Sequence, residues 1–495
     1  MKDRYLLTLD QSTSGTKALL IDKHGQIIGK CFRDHQQYYP QAGWVEHDPI
    51  EIYENVKSLI KEVLATAHLS SEQLVGLAIT NQRETALLWD RETGLPIHRA
   101  IVWQCRRTAE LCNEMKQAGH EPLIHEKTGL LLDPYFSATK WKWLLNFMKN
   151  KGYEGKWMAG TMDSWLIWKL TGGSVHATDY TNASRTLLFN IHTLQWDEEL
   201  IQLFGLENLI LPKVRASDDQ FGYLADPDLI QDGYEQIPLC GVMGDSQAAL
   251  FAQRCIKPGM VKATYGTGSS VLMNIGSQPV AAAHGLVNTL AWKLKDETQY
   301  ALEGIIHTSG DCLKWARENM NLFSSHDEME QLIISVEDTD GVYVIPAFVG
   351  LGTPYWAPNA KAAIVGMNRS TTRAHVLRAC IESIALQVKD VVDLMNKETG
   401  IPIYELRGDG GASKNPILMQ LQSEFLGKPV ITSKTAELSA LGAAYAGGRG
   451  IGFWTNEELD QIYQMENTYT SSWTAEQRME KVNGWHAAVQ SVLTM

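Results

Sequence analysis

The 495-residue sequence has few cysteines and no long hydrophobic run. No stretch reaches the roughly 18 consecutive apolar residues that cross a bilayer, and residues 1–5 lack the apolar core of an export signal. The seven cysteines are an odd number and include no Cys-x-x-Cys pair, which excludes a secreted disulfide scaffold. We therefore expect a cytoplasmic protein with reduced thiols and no membrane span.

Positive charge is also in short supply. The 44 Lys and Arg residues face 57 Asp and Glu, which gives a net charge of −13. This balance excludes general nucleic-acid binding, which needs a basic face, but it leaves room for a local basic pocket. The sequence contains neither a Walker A loop nor a Gly-x-Gly-x-x-Gly turn between strand and helix, so ordinary P-loop and dinucleotide-binding chemistry are disfavoured.

The same order of predicted strands and helices occurs in both halves of the sequence. Each half opens with two short apolar runs joined by a polar turn, which predicts paired strands because each run is too short for three helical turns. The runs lie at residues 5–10 and 18–21 in the first half, and at 260–265 and 271–275 in the second. Alternating helices and strands follow. The sequence predicts an α/β protein with two mixed domains, residues 1–253 and 254–495, and a ligand cleft between them.

Helix boundaries are signalled at several points. Apolar residues recur at helical spacing over residues 373–399, and Gly400 supplies the end of that helix. Asn415 and Pro416 have the residue types of an N-cap and a first helical position, and Gly427 marks the end of the helix that they begin.

Three turns rich in glycine, serine and threonine are candidates for holding phosphate. They lie at residues 12–16, 266–269 and 408–412. Small residues leave backbone N–H groups free to cradle anionic oxygens, although each turn alone is also what a tight strand connection requires. Asp10 directly precedes the first turn and is placed to hold Mg²⁺ beside the same phosphates. Their order and matching strand contexts favour a nucleotide site.

In this order the turns resemble the two phosphate motifs and the adenosine motif of the actin/hexokinase/Hsp70-type ATPase fold, which has two ribonuclease H-like domains. The wider sequence resembles the FGGY carbohydrate kinases, and among them those that act on glycerol. The stretches that carry this resemblance, beginning with Gly-Trp-Val-Glu-His-Asp-Pro, are residues 43–49, 80–85, 101–108, 133–137, 178–186, 341–344, 346–348, 350–352, 354–356 and 441–445. They cover nearly the whole chain.

The resemblance implies Mg²⁺-dependent transfer of the γ-phosphoryl group of ATP to a hydroxyl of a small polyol or sugar. It implies that Asp245 accepts the hydroxyl proton and that Asp10 holds the metal ion. The substrate-binding residues that it implies are Arg83, Glu84, Trp103, Tyr135, Asp245, Ser246 and Ser270. The ATP-binding residues that it implies are Thr13, Ser14, Lys17, Gly266, Thr267, Gly310, Lys314, Gly411 and Asn415.

The chemistry of these residue types agrees with the implied roles. An arginine donates hydrogen bonds and a glutamate accepts them, so Arg83 and Glu84 can orient adjacent hydroxyls; a surface ion pair is the plain alternative. Trp103 by itself would more often belong to an apolar core. Asp245 precedes a helix-like run whose positive end favours an ionised carboxylate, and a simple N-cap is the alternative there.

Four positions depart from the pattern of the glycerol-specific kinases. Lys17 stands where they have Arg, which keeps the charge but loses the bidentate fork, and Lys314 replaces a Gln. Ser246 replaces a Gln and Ser270 replaces a Phe that faces the substrate. Both serines enlarge the pocket. We expect glycerol as the acceptor, with a longer tetritol or ketopentose such as xylulose or ribulose as the alternative.

A different class of function would be an actin- or Hsp70-like switch that binds nucleotide and a protein partner without phosphorylating a small molecule. The polyol-binding set is unnecessary for such a switch, so the enzyme is preferred. The resemblance further implies a homodimer or homotetramer, with no nucleic acid as partner.

Overall fold

The computed structural model describes residues 4–153, 156–234 and 236–494. The strands of the first half are β1 (Tyr5–Gln11), β2 (Gly15–Asp22), β3 (Ile27–Asp34), β4 (Gln37–Tyr38), β5 (Glu46–His47), β6 (Leu74–Asn81), β7 (Ala86–Trp89), β8 (Ala100–Ile101), β9 (Trp157–Thr161), β10 (Ala177–Asp179), β11 (Phe189–Asn190), β12 (Gln195–Trp196), β13 (Leu209–Ile210), β14 (Lys213–Arg215), β15 (Gln220–Tyr223) and β16 (Pro238–Gly244). Its helices are α1 (Pro49–Thr66), α2 (Ala109–Gln117), α3 (Glu121–Thr128), α4 (Ser137–Asn150), α5 (Met162–Leu170), α6 (Tyr180–Ala183), α7 (Glu198–Phe204), α8 (Pro227–Ile230) and α9 (Asp245–Ala252).

The second half continues the same alternation. Its strands are β17 (Met260–Tyr265), β18 (Ser269–Gly276), β19 (Val287–Lys293), β20 (Thr298–Ile306), β21 (Tyr343–Ile345), β22 (Ala363–Val365), β23 (Glu405–Asp409), β24 (Val430–Ser433) and β25 (Met465–Tyr469). Its helices are α10 (Gly310–Glu318), α11 (His326–Ile334), α12 (Arg373–Thr399), α13 (Pro416–Leu426), α14 (Leu438–Gly450), α15 (Asn456–Ile462) and α16 (Ala475–Leu493). Among the described residues, no helix combines the length and the apolar character that a bilayer crossing demands.

One sheet topology occurs in both halves. The first sheet has the order β3-β2-β1-β6-β16-β15, with β1 antiparallel to β2 and parallel to β6. The second has the order β20-β18-β17-β23-β24-β25, extended by β19 beside β20, and β17 is likewise antiparallel to β18 and parallel to β23. The repeat that the sequence predicts is therefore a repeat of strand order and direction.

The helices begin and end where their sequences signal. The carboxylate of Asp48 caps α1 by accepting from Ile50 N, and Ile52, Val56 and Leu59 on one face of that helix are fully buried. The 27-residue helix α12 has the predicted bounds, and Gly400 ends it in the left-handed conformation with φ 65°. The strand β18 begins two residues earlier than predicted, so Ser269 and Ser270 belong to the strand rather than to the turn.

Helix α14 of the second half packs against the first half of the chain. It contacts α9, β16, β6 and β1. The helix can approach this closely because glycines lie against the backbone of the facing element. A Cβ on Gly442 would lie 1.8 Å from the carbonyl oxygen of Ala248. A Cβ on Gly241 would lie 2.5 Å from the Cα of Gly447. The buried cluster at this junction draws residues from both halves, including Leu6 and Leu441.

Candidate active site

Three neighbouring parallel strands bring the predicted polar residues to one edge of the first sheet. Asp10 lies at the end of β1 opposite Thr80 of β6, and Gly244 at the end of β16 lies opposite Asn81. Because carboxyl ends of parallel strands meet at the same edge, Asp10, Arg83 and Asp245 converge there. Two of the predicted chemical groups, the carboxylates of Asp10 and Asp245, thus face one region of the cleft.

The Asp10 carboxylate is buried beside other negative charges. Burial raises the pKa of Asp10 to about 7; Lys17 lowers it, but the charges of Asp245 and Glu437 raise it further. The residue is only 6% exposed. A buried carboxylate that is so short of positive charge is a fitting ligand for a divalent cation, which would supply the missing charge.

Asp245 is the first residue of α9, and Gly244 is its N-cap. The alternative of an N-cap aspartate is therefore wrong by one residue. The carboxylate Oδ1 accepts from the backbone N–H of Ser246 at 2.7 Å and lies 3.1 Å from Arg83 Nε. About a third of its side-chain surface, 36%, is exposed, so the carboxylate is accessible to a ligand.

Arg83 is the centre of a buried network of charges, not half of a surface ion pair. Its guanidinium donates to Glu303 Oε1 at 2.9 Å and to Gln247 Oε1 at 3.1 Å, and its Nε lies 3.9 Å from Glu84 Oε1. Burial alone would raise the pKa of Glu303, but Arg185 and Arg83 lower it to about 2. Glu303 is therefore ionised and fixes the orientation of Arg83.

Glu84 is buried on the other side of this network. It adopts a left-handed backbone conformation with φ 60°, an uncommon and strained geometry for a residue with a side chain. Its Oε1 accepts from Arg185 Nε at 2.6 Å, while its backbone oxygen accepts from Ser137 and Lys140. Burial raises its pKa, although Arg83 and Arg185 lower it. The surroundings of Glu84 hold its side chain in one place.

An aromatic wall stands beside these charges. The ring of Trp103 lies 5.4 Å from that of Tyr135, centroid to centroid, and both side chains are partly exposed rather than sealed in a core. The Trp103 indole donates to Thr13 Oγ1 at 3.0 Å. Thr13, predicted as a nucleotide contact, therefore connects the first phosphate turn with Trp103, which is predicted to bind the polyol.

The two unusual serines lie at the same place. Ser270 donates from its hydroxyl to Glu303 Oε1 at 3.0 Å, and Ser246 follows Asp245 in the first turn of α9. Both are partly buried. The hydroxyl of Ser270 thus belongs to the Arg83 network. A phenylalanine at this position could not donate a hydrogen bond to Glu303.

The second phosphate turn and the start of α10 form one unit. Gly310 donates from its backbone N–H to the carbonyl oxygen of Gly266 at 2.9 Å, and Ser309 donates to that of Thr267 at 2.8 Å. A Cβ on Gly310 would lie 2.6 Å from Gly266 O, so only glycine allows this approach. Gly266 and Thr267 are exposed at a helix N-terminus, a favourable setting for phosphate.

The third turn lies next to β17 and β23 as a short 3₁₀ helix, Gly411–Lys414. A Cβ on Gly411 would meet nothing within 4 Å, so its surface is open. Asn415 caps α13 by accepting from Leu418 N at 3.0 Å. Lys314 on α10 and Ser14 in the first turn are exposed. The nucleotide contacts of these residues stay predictions.

Lys17 has a partner that the sequence does not indicate. Its Nζ lies 2.7 Å from Glu437 Oε2, at the start of α14, and 3.9 Å from Asp10 Oδ2. Glu437 also binds Lys30 at 3.0 Å. Asp10, Lys17, Glu437 and Lys30 thus form a chain of ion pairs that joins the two halves.

The sequence reasoning did not select Glu303, Arg185, Gln247 or Glu437 as site residues. Arg185 lies in a stretch that carries the family resemblance. Glu303 had a usable signal, because it is the single charged residue of strand β20 and is flanked by apolar residues and a glycine. Gln247 and Glu437 have no comparable signal, since their partners lie 164 and 420 positions away.

We expect Asp10→Asn to stabilise the metal-free protein at high pH. Between roughly pH 4 and 7 the folded protein binds the Asp10 proton and the unfolded chain does not, so the free energy of unfolding falls as the pH rises. The variant should unfold with a free energy higher by roughly 2–4 kcal/mol at pH 8, and by little near pH 4. Urea unfolding in EDTA measures this. Asp22→Asn, at the far end of the same hairpin, is the control, and equal pH dependence of both variants would contradict the assignment.

Comparison with known proteins gives the family. Residues 5–252 match the N-terminal domain of the FGGY family of carbohydrate kinases, and residues 261–451 match the C-terminal domain of that family. A glycerol kinase of Geobacillus sp. (strain WCH70) is 46% identical over 495 residues, which cover 99% of each chain. A glycerol kinase of Xanthomonas campestris pv. campestris is 44% identical over 500 residues, covering 100% of this chain and 99% of the relative.

Solved structures agree with the sequence matches. Plasmodium falciparum glycerol kinase with ADP superposes with a TM-score of 0.92 at 35% identity, covering 99% of this chain and 98% of that one. A xylulose kinase of Lactobacillus acidophilus gives 0.89 at 20% identity with the same coverage, which supports the fold alone. The predicted two-domain α/β fold is confirmed. The chain belongs to the FGGY family of carbohydrate kinases.

Proposed function

We propose that the protein transfers the γ-phosphoryl group of ATP to a primary hydroxyl of glycerol, giving glycerol 3-phosphate and ADP. The observation that carries the proposal is the convergence of Asp10, Arg83 and Asp245 at one edge of the first sheet. The exposure of the predicted phosphate turn at Gly266 and Thr267 supports it. The glycerol kinases that cover the whole chain at 44–46% identity support the choice of reaction and acceptor.

The residues divide the work of the reaction. Arg83 and Glu84, held by the buried network, are placed to bind two neighbouring hydroxyls of the acceptor. Asp245 takes the proton of the attacking hydroxyl as the new O–P bond forms and the bond to ADP breaks. Trp103 and Tyr135 cover the carbon chain. Closure of the two halves around both substrates would exclude water, which would otherwise accept the phosphoryl group.

Magnesium is the metal ion that fits the site. Mg²⁺ in kinases is held by one or two carboxylates together with phosphate oxygens, and Asp10 is the carboxylate that would hold it. When bound, the ion neutralises charge that develops on the phosphate oxygens. The pKa of Asp10, about 7, supports this assignment, because it shows that the buried carboxylate has too little neighbouring positive charge to stabilise its ionised form.

The test is ADP release with Mg·ATP and a panel of acceptors: glycerol, erythritol, threitol, xylulose, ribulose and dihydroxyacetone. We expect glycerol to give the highest kcat/KM. Hydrolysis of ATP at the same rate with and without any acceptor would contradict a polyol kinase.

A longer tetritol or ketopentose is the second candidate acceptor, and Ser246 and Ser270 favour it. Both are small, partly buried and next to Asp245 or to the Arg83 network. The space that they leave can hold a further carbon with its hydroxyl, and the hydroxyl of Ser270 can bond to it.

We expect the double variant Ser246→Gln, Ser270→Phe to narrow the acceptor range. Its kcat/KM for the four- and five-carbon acceptors should fall at least about tenfold relative to that for glycerol, because each added group fills space beside the substrate. The same panel measures this ratio. Ser277→Phe, just beyond β18 and exposed, is the control. An unchanged ratio for every acceptor would show that the serines do not set the pocket size.

Three further points stay predictions. The seven cysteines are free, which supports the cytoplasm as the location. A homodimer or homotetramer is expected, without nucleic acid as partner. The strand repeat and the family matches to residues 5–252 and 261–451 support a domain boundary near residue 254.

A further inference from the structure

A basic cavity lies between the two halves of the chain, apart from the residues of the candidate active site. Its volume is about 330 Å³, within the lower range of small-molecule sites. Lys213 and Arg215 of β14 line it from the first half. Lys293 and Lys295, at the end of β19 and just beyond, line it from the second half.

The four cations of this cavity have no carboxylate partner in residues 4–153, 156–234 and 236–494. Instead, Lys293 Nζ donates to the carbonyl oxygen of Leu294 at 3.0 Å and Arg215 donates to that of Gln220 at 2.7 Å. The Nε of Arg215 is buried without a hydrogen-bond partner. Lys295 Nζ donates to the carbonyl oxygen of Gly450 at 3.4 Å. In the described part of a chain with a net charge of −13, four positive groups without a salt-bridge partner thus lie around one space.

The acidic groups near the cavity compensate for these charges only in part, because Asp218 is close enough to Lys295 to interact with its charge. Asp219 lines the cavity, and its Oδ1 accepts from the backbone N–H of Gln220. Asp218 accepts from Arg449 and from the backbone N–H of Lys295, and Asp296 binds Arg449. One carboxylate faces four cations, so the cavity carries an excess of positive charge.

The walls of the cavity are fixed to each other across the junction. Ser217 donates from its backbone N–H to the carbonyl oxygen of Lys293 at 2.7 Å, and Lys295 donates from its own to Asp218 Oδ1 at 2.9 Å. A ligand would therefore meet cations that are already assembled, which lowers the entropic cost of binding.

We propose that this cavity binds a small anion that carries two or more negative charges on phosphate groups. Arginine binds phosphate oxygens in a bidentate manner, and the buried Nε of Arg215 has no hydrogen-bond partner within the protein. The three lysines supply point charges around it. Because the cations come from both halves, the bound anion strengthens their contact and raises the stability of the folded chain.

The test uses inorganic pyrophosphate as the probe and the full chain in EDTA, with binding measured by calorimetry and by the shift in Tm. We expect the double variant Lys213→Ala, Lys295→Ala to weaken binding at least about tenfold and to abolish most of the Tm increase. Both side chains are exposed, so the fold should persist; Lys295→Gln alone should weaken binding severalfold. Lys149→Ala, Lys397→Ala removes the same charge from exposed positions elsewhere.

Pyrophosphate that also enters the nucleotide site would bind the double variant and the wild type alike there, so the difference between the two reports the cavity. Sulfate and acetate distinguish phosphate recognition from charge screening, and both should bind more weakly than pyrophosphate. Equal affinity of the wild type and the cavity variant, an equal loss in the control variant, or equal binding of acetate and pyrophosphate would each overturn the proposal.

Discussion

The variant Asp245→Asn should lose kinase activity by a factor of roughly 100 to 10,000, the usual contribution of a general base. The amide keeps the size of the side chain and still accepts a hydrogen bond from Arg83, but it cannot take the proton of the attacking hydroxyl. The loss should therefore appear in kcat, with little change in the KM for ATP. Steady-state ADP release gives both constants.

Binding of ADP separates this effect from misfolding. Calorimetry should give the same Kd for ADP in the wild type and in Asp245→Asn, because we propose that Asp245 contacts the phosphoryl acceptor and not ADP. Asp327→Asn is the matched control: it also removes a carboxylate from the first turn of a helix, α11, at an exposed position. A rate within a few fold of the wild type would remove Asp245 as the base.

The second large effect is expected from Glu303→Gln. This change takes one negative charge from between two buried arginines, Arg83 and Arg185, and leaves their guanidinium groups undercompensated. Breaking a buried ion pair in this way costs about 3–5 kcal/mol of unfolding free energy. Arg83 also loses one of the two carboxylate oxygens that accept from its guanidinium and orient it, because an amide NH₂ group cannot accept. The KM for the phosphoryl acceptor should therefore rise about 10- to 100-fold while ADP affinity is unchanged.

The pH dependence of stability provides an independent readout for Glu303. Its folded-state pKa of about 2 lies below the ordinary 4.5, so its contribution is present above pH 4.5 and is lost as the pH falls toward 2. The free energy of unfolding of Glu303→Gln should therefore depend less on pH between pH 4.5 and 2 than that of the wild type. Glu382→Gln removes another buried glutamate, paired with Arg378 away from the site, and should leave the acceptor KM unchanged. Identical KM changes in both variants would contradict a positioning role for Glu303.

Local signals in the sequence predicted much of the fold. The helix at residues 373–399 has matching bounds because its apolar spacing and Gly400 act within one segment. Asn415 caps its helix as predicted, since a cap depends on residues three positions apart. The order of strands and turns also placed Asp10 and the second phosphate turn at strand ends, which is where the structure has them.

The interior of the site required long-range information. Arg83 meets Glu303 across 220 positions of sequence, and no local pattern encodes that distance. The plain alternatives for Arg83 and Trp103 were reasonable from residue type, yet the first is buried among charges and the second is partly open. The family resemblance implies a set of site residues, which stays a prediction, whereas the position of Glu303 beside Arg83 depends on contacts far apart in the sequence.

The packing of α14 has a consequence for synthesis on the ribosome. Strands β1 and β6 are made early, but the helix that covers them ends at Gly450. The amino-terminal portion consequently emerges with an apolar flank, around Leu6 and Ala78, that stays uncovered until most of the polypeptide has been translated. Until α14 has been synthesised, the nascent chain can self-associate through this apolar surface. The surface is covered only when a segment near the carboxyl end of the chain packs onto it.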